Sequence, residues 1–74
     1  MSESNVAETI ADETVRDDPE LFRETVAARP KAWGTLAARG VVRYRRRMGR
    51  APDEATRRAI WAALWRRVEA GRSS

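Results

Sequence analysis

Trp33, Leu36, Ala37, Gly40, Val41, Tyr44 and Met48 recur at intervals of three and four residues, and this apolar stripe fixes the fold class. A strand would need alternation with a period of two, and no segment of the chain shows it. The stripe predicts one helix from Pro30 to about Met48, with proline supplying the fixed φ of a first helical position. Gly40 lies inside the stripe, where a neighbouring helix can approach closely; a break at Gly40 is the competing reading. Gly49-Arg50-Ala51-Pro52-Asp53-Glu54 then reads as a left-handed stop followed by a restart. From Asp53 to about Ala70, Ile60, Trp61, Leu64, Trp65 and Val68 share one face, and Gly71 supplies a stop signal.

Upstream, Asp17-Asp18-Pro19-Glu20 places an Asp at an N-cap, proline at the first helical position and an acid in the first turn. Leu21, Phe22, Thr25 and Val26 follow at helical spacing until Pro30 disfavours a helical Arg29. Before that, Asn5 and Glu8 have capping-box spacing and open a short helix to Val15 with a small apolar payload. The expected fold is therefore all-α: a small three- to four-helix bundle with an acidic N-terminal arm or short helix. The expected organisation is an arm over 1–18, a basic helical domain over 19–70 and a frayed tail over 71–74. Phe22, Val26, Trp33, Leu36, Val41, Tyr44, Ile60, Trp61, Leu64 and Val68 form the expected core.

A chain of 74 residues buries only about 60% of its unfolded surface, so its core is marginal. It contains neither cysteine nor histidine, which removes disulfide staples and the usual structural zinc ligands. Stability must come from helix packing or from a partner, and a homo-oligomer is one way to supply it. No apolar run approaches the length of a membrane span. The acidic start MSESNVAETIADE lacks the basic-then-apolar order of a signal peptide, so a cytoplasmic protein is expected.

Charge is polarised along the chain. Residues 1–28 carry eight acidic and two basic side chains, whereas residues 29–74 carry thirteen basic and three acidic ones. Fourteen of the fifteen basic residues are arginine, the residue whose planar fork binds phosphate and carboxylate bidentately; a codon preference explains the ratio equally well. It does not explain the arrangement. Arg39, Arg43, Arg46 and Arg50 recur at spacings of four, three and four and line one helix face, with Arg45 and Arg47 on its flanks. Four like charges on one face require compensating anions.

Two anion sources fit. Nucleic acid, DNA or RNA, would be gripped through its phosphates by Arg39, Arg43, Arg46, Arg47 and Arg50, with Arg57 and Arg58 adding charge from the last helix. An acidic protein surface is the alternative partner. The eight acids before residue 25 could also imitate phosphates and cover the basic face, although a solubilising arm is the plainer expectation. Trp61 and Trp65, one turn apart, suit core packing best; a base-stacking platform and a partner-binding hot spot are the functional options. An interfacial membrane helix fits the Trp and Arg pattern less well than a helix–helix turn does.

Catalysis has little support in these residues. There is no His or Cys, no Gly-rich phosphate loop and no metal-ligand spacing, so neither a catalytic residue nor a cofactor is expected. The stretch Tyr44 to Ala63 places a basic helix, Gly-Arg-Ala-Pro and an acidic restart in succession. It resembles the helix, Gly-Arg-x-Pro, acidic restart of bacterial sigma-factor region 3 over less than a third of the chain. We read this as shared turn chemistry and assign no family. The expected function is a non-enzymatic, arginine-rich nucleic-acid-binding protein, accessory, regulatory or architectural. A protein-interaction module (small subunit, adaptor or inhibitor) is the alternative.

Overall fold

A computed structural model describes residues 3–73; residues 1, 2 and 74, the outer ends of the expected arm and tail, lie outside it. Four helices follow in order: α1 (Glu3–Asp17), α2 (Pro19–Val26), α3 (Ala32–Met48) and α4 (Glu54–Ser73). No strand occurs among the described residues, and the fold is a small all-α bundle.

The largest departure from expectation is α1. The predicted short helix begins at Asn5, yet Asn5 lies within the first turn, where its carbonyl accepts the Thr9 hydroxyl at 3.0 Å. Glu8 does not close a capping box, because two α4 arginines claim its carboxylate. Ala7, Ile10, Ala11 and Thr14 form a buried stripe, and Ile10 and Ala11 are fully enclosed. The payload is small in volume but suits close helix approach, since alanine faces let backbones meet with few voids. Thr14 enters the stripe because its hydroxyl donates to the Ile10 carbonyl at 2.7 Å, which removes the cost of burying it. Thr25 does the same on α2, bonding the Leu21 carbonyl at 2.8 Å.

Pro19 occupies the first turn of α2 as expected, but Asp18 makes no side-chain cap. Its carboxylate faces Arg39 instead. α2 ends at Val26, three residues before the expected stop, through paired bonds from Ala28 N–H to the Thr25 carbonyl and from Arg29 N–H to the Glu24 carbonyl. This is the Schellman arrangement, with Ala28 at φ 58° in the left-handed position that glycine usually takes. Lys31 is also left-handed, at φ 67°, so α3 starts at Ala32, two residues later than Pro30 predicted.

Gly40 does not interrupt α3. A Cβ there would lie 3.0 Å from both Ile60 Cγ2 and Leu64 Cδ1, so the missing side chain lets α3 and α4 approach. Gly49, at φ 75°, closes the helix as expected. The expected stop at Gly71 fails for a similar packing reason. α4 runs on to Ser73, because Gly71 abuts α2, where an added Cβ would meet Val26 Cγ2 at 2.9 Å.

The enclosed core comprises Ile10, Leu36, Ile60, Leu64 and Val68, with Ala7, Ala11, Leu21, Ala32, Ala37, Tyr44 and Ala63 around them. Each large aliphatic side chain so buried contributes about 1.5–3 kcal/mol. Half of the expected core is only half-buried: Phe22, Val26, Trp33, Val41 and Trp61 sit at its margin. The reason is the place taken by α1, whose small residues fill the centre and leave the larger rings as a rim.

Candidate anion-binding face

α1 decides what the arginines do. At roughly 100° per residue, Glu13 and Asp17 fall on one border of its buried stripe and Glu8 on the other. α3 lies across the first border and α4 across the second.

On the α3 side, Glu13 and Asp17 are four residues apart and meet Arg43 and Arg47, also four apart. Glu13 reaches Arg47 at 2.6 Å and Arg43 at 3.6 Å, while Asp17 pairs with Arg43. Asp18 holds Arg39 at 2.9 Å. On the α4 side, Glu8 pairs with Arg66 and, at 2.9 Å, with Arg67. Arg67 also donates to the Ala63 carbonyl at 3.0 Å and to the Glu8 carbonyl at 3.3 Å. Hydrogen bonding from Arg67 holds the Glu8 carboxyl below its ordinary range, and bonding from Arg47 does the same for Glu13; burial opposes both effects.

The expected row Arg39, Arg43, Arg46, Arg50 is therefore split. Arg39 and Arg43, joined by the expected flanker Arg47, turn inward onto the molecule's own carboxylates. An open groove of about 760 Å³ runs between α1 and α3, with these three arginines and Arg46 on one wall and Glu13, Asp17 and Asp18 on the other. Arg46 and Arg45 have no ion-pair partner among the described residues. Together with Arg50, Val42, Gly49 and Ala51 they line a second groove of about 420 Å³ at the end of α3. Arg50 is close enough to Asp53 to help lower that carboxyl's pKa, behind the larger effect of the Thr56 backbone N–H, which donates to Asp53 Oδ1 at 2.8 Å. Val42 and Met48 are 43% and 39% exposed on this same stretch.

Arg57 and Arg58, expected to extend the basic face, both turn to Glu54 within α4. Arg57 also stacks over the Trp61 ring, 5.3 Å from its centroid, with its buried Nε meeting no hydrogen-bond acceptor among the described residues. Trp61 donates its indole N–H to the Ala37 carbonyl at 3.4 Å. Trp65, at 37% exposure, meets Trp33 edge-on at 5.1 Å, and Arg72 lies over its ring. Arg72 in turn donates to the Thr25 and Val26 carbonyls, both at 3.1 Å. Trp61 and Trp65 thus each have one ring face covered by an α4 arginine, while the Trp61 N–H, the Trp33–Trp65 contact and the Arg72 hydrogen bonds tie α4 to α3 and α2.

The arginine that sequence reasoning passed over is Arg45, set aside as a flanker. Counting which faces the acidic helix would cover, rather than which arginines align, is the signal that would have found it. Among the described residues no acidic, His or Cys cluster is placed to hold a metal ion, and no helix is long and apolar enough to cross a membrane. Comparison of the chain with protein families, with curated proteins and with solved structures finds no match.

Proposed function

We propose that the protein is a small, non-enzymatic nucleic-acid-binding factor of the cytoplasm that contacts phosphates from the C-terminal end of α3. The supporting observation is the set Arg45, Arg46 and Arg50. These arginines ring one surface groove, and the first two face no carboxylate among the described residues. A guanidinium fork held on a rigid helix is the chemistry that phosphate oxygens select. Three such contacts predict a slope of about −2.7 in log affinity against log salt, or about a fortyfold loss between 50 and 200 mM salt. Anisotropy titration of a labelled duplex and a labelled single strand at the two salt levels tests this. Arg45→Ala with Arg46→Ala and Arg50→Ala should abolish the binding, whereas Arg57→Ala with Arg58→Ala should leave most of it. Absence of binding at low salt rejects the proposal.

A protein-interaction module is the second reading, and one observation favours it. Val42 and Met48 flank the same arginines and are exposed; arginine beside apolar surface is typical of an interface hot spot, whereas phosphate needs no apolar neighbour. A stoichiometric complex with an acidic protein, lost on Val42→Asp but unaffected by competing DNA, would decide for it.

A further inference from the structure

We infer that the carboxylates of Glu13, Asp17 and Asp18 are an internal competitor for nucleic-acid phosphate, holding Arg39, Arg43 and Arg47 until a densely charged polyanion exchanges for them. This rests on the nucleic-acid reading above and adds how the site is regulated and which ligands it admits.

Three observations carry the inference. First, the acids are placed as a phosphate backbone would be: Glu13 and Asp17 lie one helical turn apart and meet arginines one turn apart, a spacing of about 5–6 Å. Second, the pairs are exchangeable while the helix that bears them is not. Asp17 is 58% exposed and Arg47 49%, while Glu13, Arg43 and Asp18 keep between 26% and 33% of their side chains in solvent, so every contact is a partly solvated ion pair rather than a buried one. Ile10 and Ala11, by contrast, are fully enclosed and pin the α1 backbone. A side-chain rotation frees the arginine without moving the helix. Third, the groove already contains a free cation. Arg46 lines both the inner and the outer groove and has no ion-pair partner among the described residues. A strand seated on Arg45, Arg46 and Arg50 would bring its next phosphates to the mouth of the inner row.

The ligand class follows. A lone phosphate or other small anion occupies the outer groove only, because it cannot offset both the lost carboxylate contact and the repulsion from the displaced acid. A polyanion delivers several phosphates at once and can. The pair on the other flank of α1 does not take part, since Arg67 is anchored by two backbone carbonyls as well as by Glu8.

The test compares the full-length wild type with Glu13→Gln plus Asp17→Asn, in anisotropy titrations of a labelled DNA duplex at about 50 and 200 mM salt. The control is Asp12→Asn plus Glu24→Gln, which removes two acidic charges that do not line the groove. The groove variant should bind about threefold to thirtyfold more tightly at low salt, with a steeper salt slope as more phosphates are engaged. The control should gain distinctly less. Equal tightening in groove variant and control would reduce the effect to net charge and overturn the inference. So would unchanged affinity and slope in the groove variant, and in either case the proposed function still stands if the wild type binds. Failure of both wild type and groove variant to bind removes the function and the inference together. If circular dichroism shows that the double variant has lost helicity, Asp17→Asn alone carries the same comparison, because Asp17 is the most exposed of the three acids and meets Arg43, the middle of the row.

Discussion

Along α4, Arg57 and Arg58 close on Glu54, Arg66 and Arg67 close on Glu8, and Arg72 donates to two carbonyls of α2. Along α3, Arg39, Arg43 and Arg47 are held by carboxylates from α1 and the residue after it, while Arg45 and Arg46 face none among the described residues. The two helices carry five arginines each and differ in what lies across from them. α4 carries Glu54 in its own first turn and packs along α1 and α2, which offer an acid and carbonyls, whereas the C-terminal end of α3 extends toward an open turn. The number of cations on a helix therefore says little about binding capacity. What matters is whether the fold, through a neighbouring helix or the same one, has already supplied the anion.

The contrast can be broken most forcefully at α1, on which both helices depend. Ile10→Ala should cost about 2–5 kcal/mol in a denaturant melt, by leaving a cavity at the centre of the bundle. A loss below about 0.5 kcal/mol, typical of a surface position, would mean that α1 is an accessory arm and that the charge matching it imposes is incidental.

A smaller effect sharpens the contrast directly. Arg67→Ala should destabilise by about 1–2 kcal/mol, because it strips the Glu8 carboxylate of a partner and frees two carbonyl contacts. Arg46→Ala should change stability by less than about 0.5 kcal/mol and appear only in nucleic-acid affinity. Similar thermal melts for these two variants would erase the distinction drawn between structural and available arginines.

The smallest expected effect is on pH dependence. Glu8 and Glu13 both have folded-state pKa values held below the ordinary carboxylate value. Their stabilisation is therefore complete above that ordinary range and is lost as pH falls through the lowered values. Both groups are partly solvated, so each should contribute less than about 1 kcal/mol. Melting temperature should decline on acidification below about pH 5, and Glu8→Gln with Glu13→Gln should flatten that decline. An equally steep decline in the double variant would place the acid-sensitive contacts elsewhere.

Much of the architecture could be read from local chemistry. Pro19 and Gly49 act where the chain says they should, and the stripe from Leu36 to Tyr44 forms the expected continuous helix. What escaped was decided by neighbours. Ala7, Ala11 and Thr14 looked too small to anchor a helix, yet small residues are what a close contact needs, and Thr14 satisfies its hydroxyl within its own turn. Gly71 carried a stop signal that its contact with Val26 overrode. The need of the arginine row for anions was legible from spacing alone. That Arg47 rather than Arg46 would pair with an α1 carboxylate was not, because it depends on where α1 lies.

The pairing of Glu8 with Arg66, 58 residues downstream, bears on how the chain is made as well as on how it is held. A growing polypeptide displays its acidic first helix long before the matching cations exist. Local contacts form fastest, so the antiparallel α3–α4 unit, joined by a short turn, assembles ahead of any contact that must close so long a loop. The acidic helix is therefore expected to dock last, onto a basic surface already in place. Folding on this order ends with the step that pairs the arginines of α3 and α4 with carboxylates, and the folded chain still carries a formal net charge of +4.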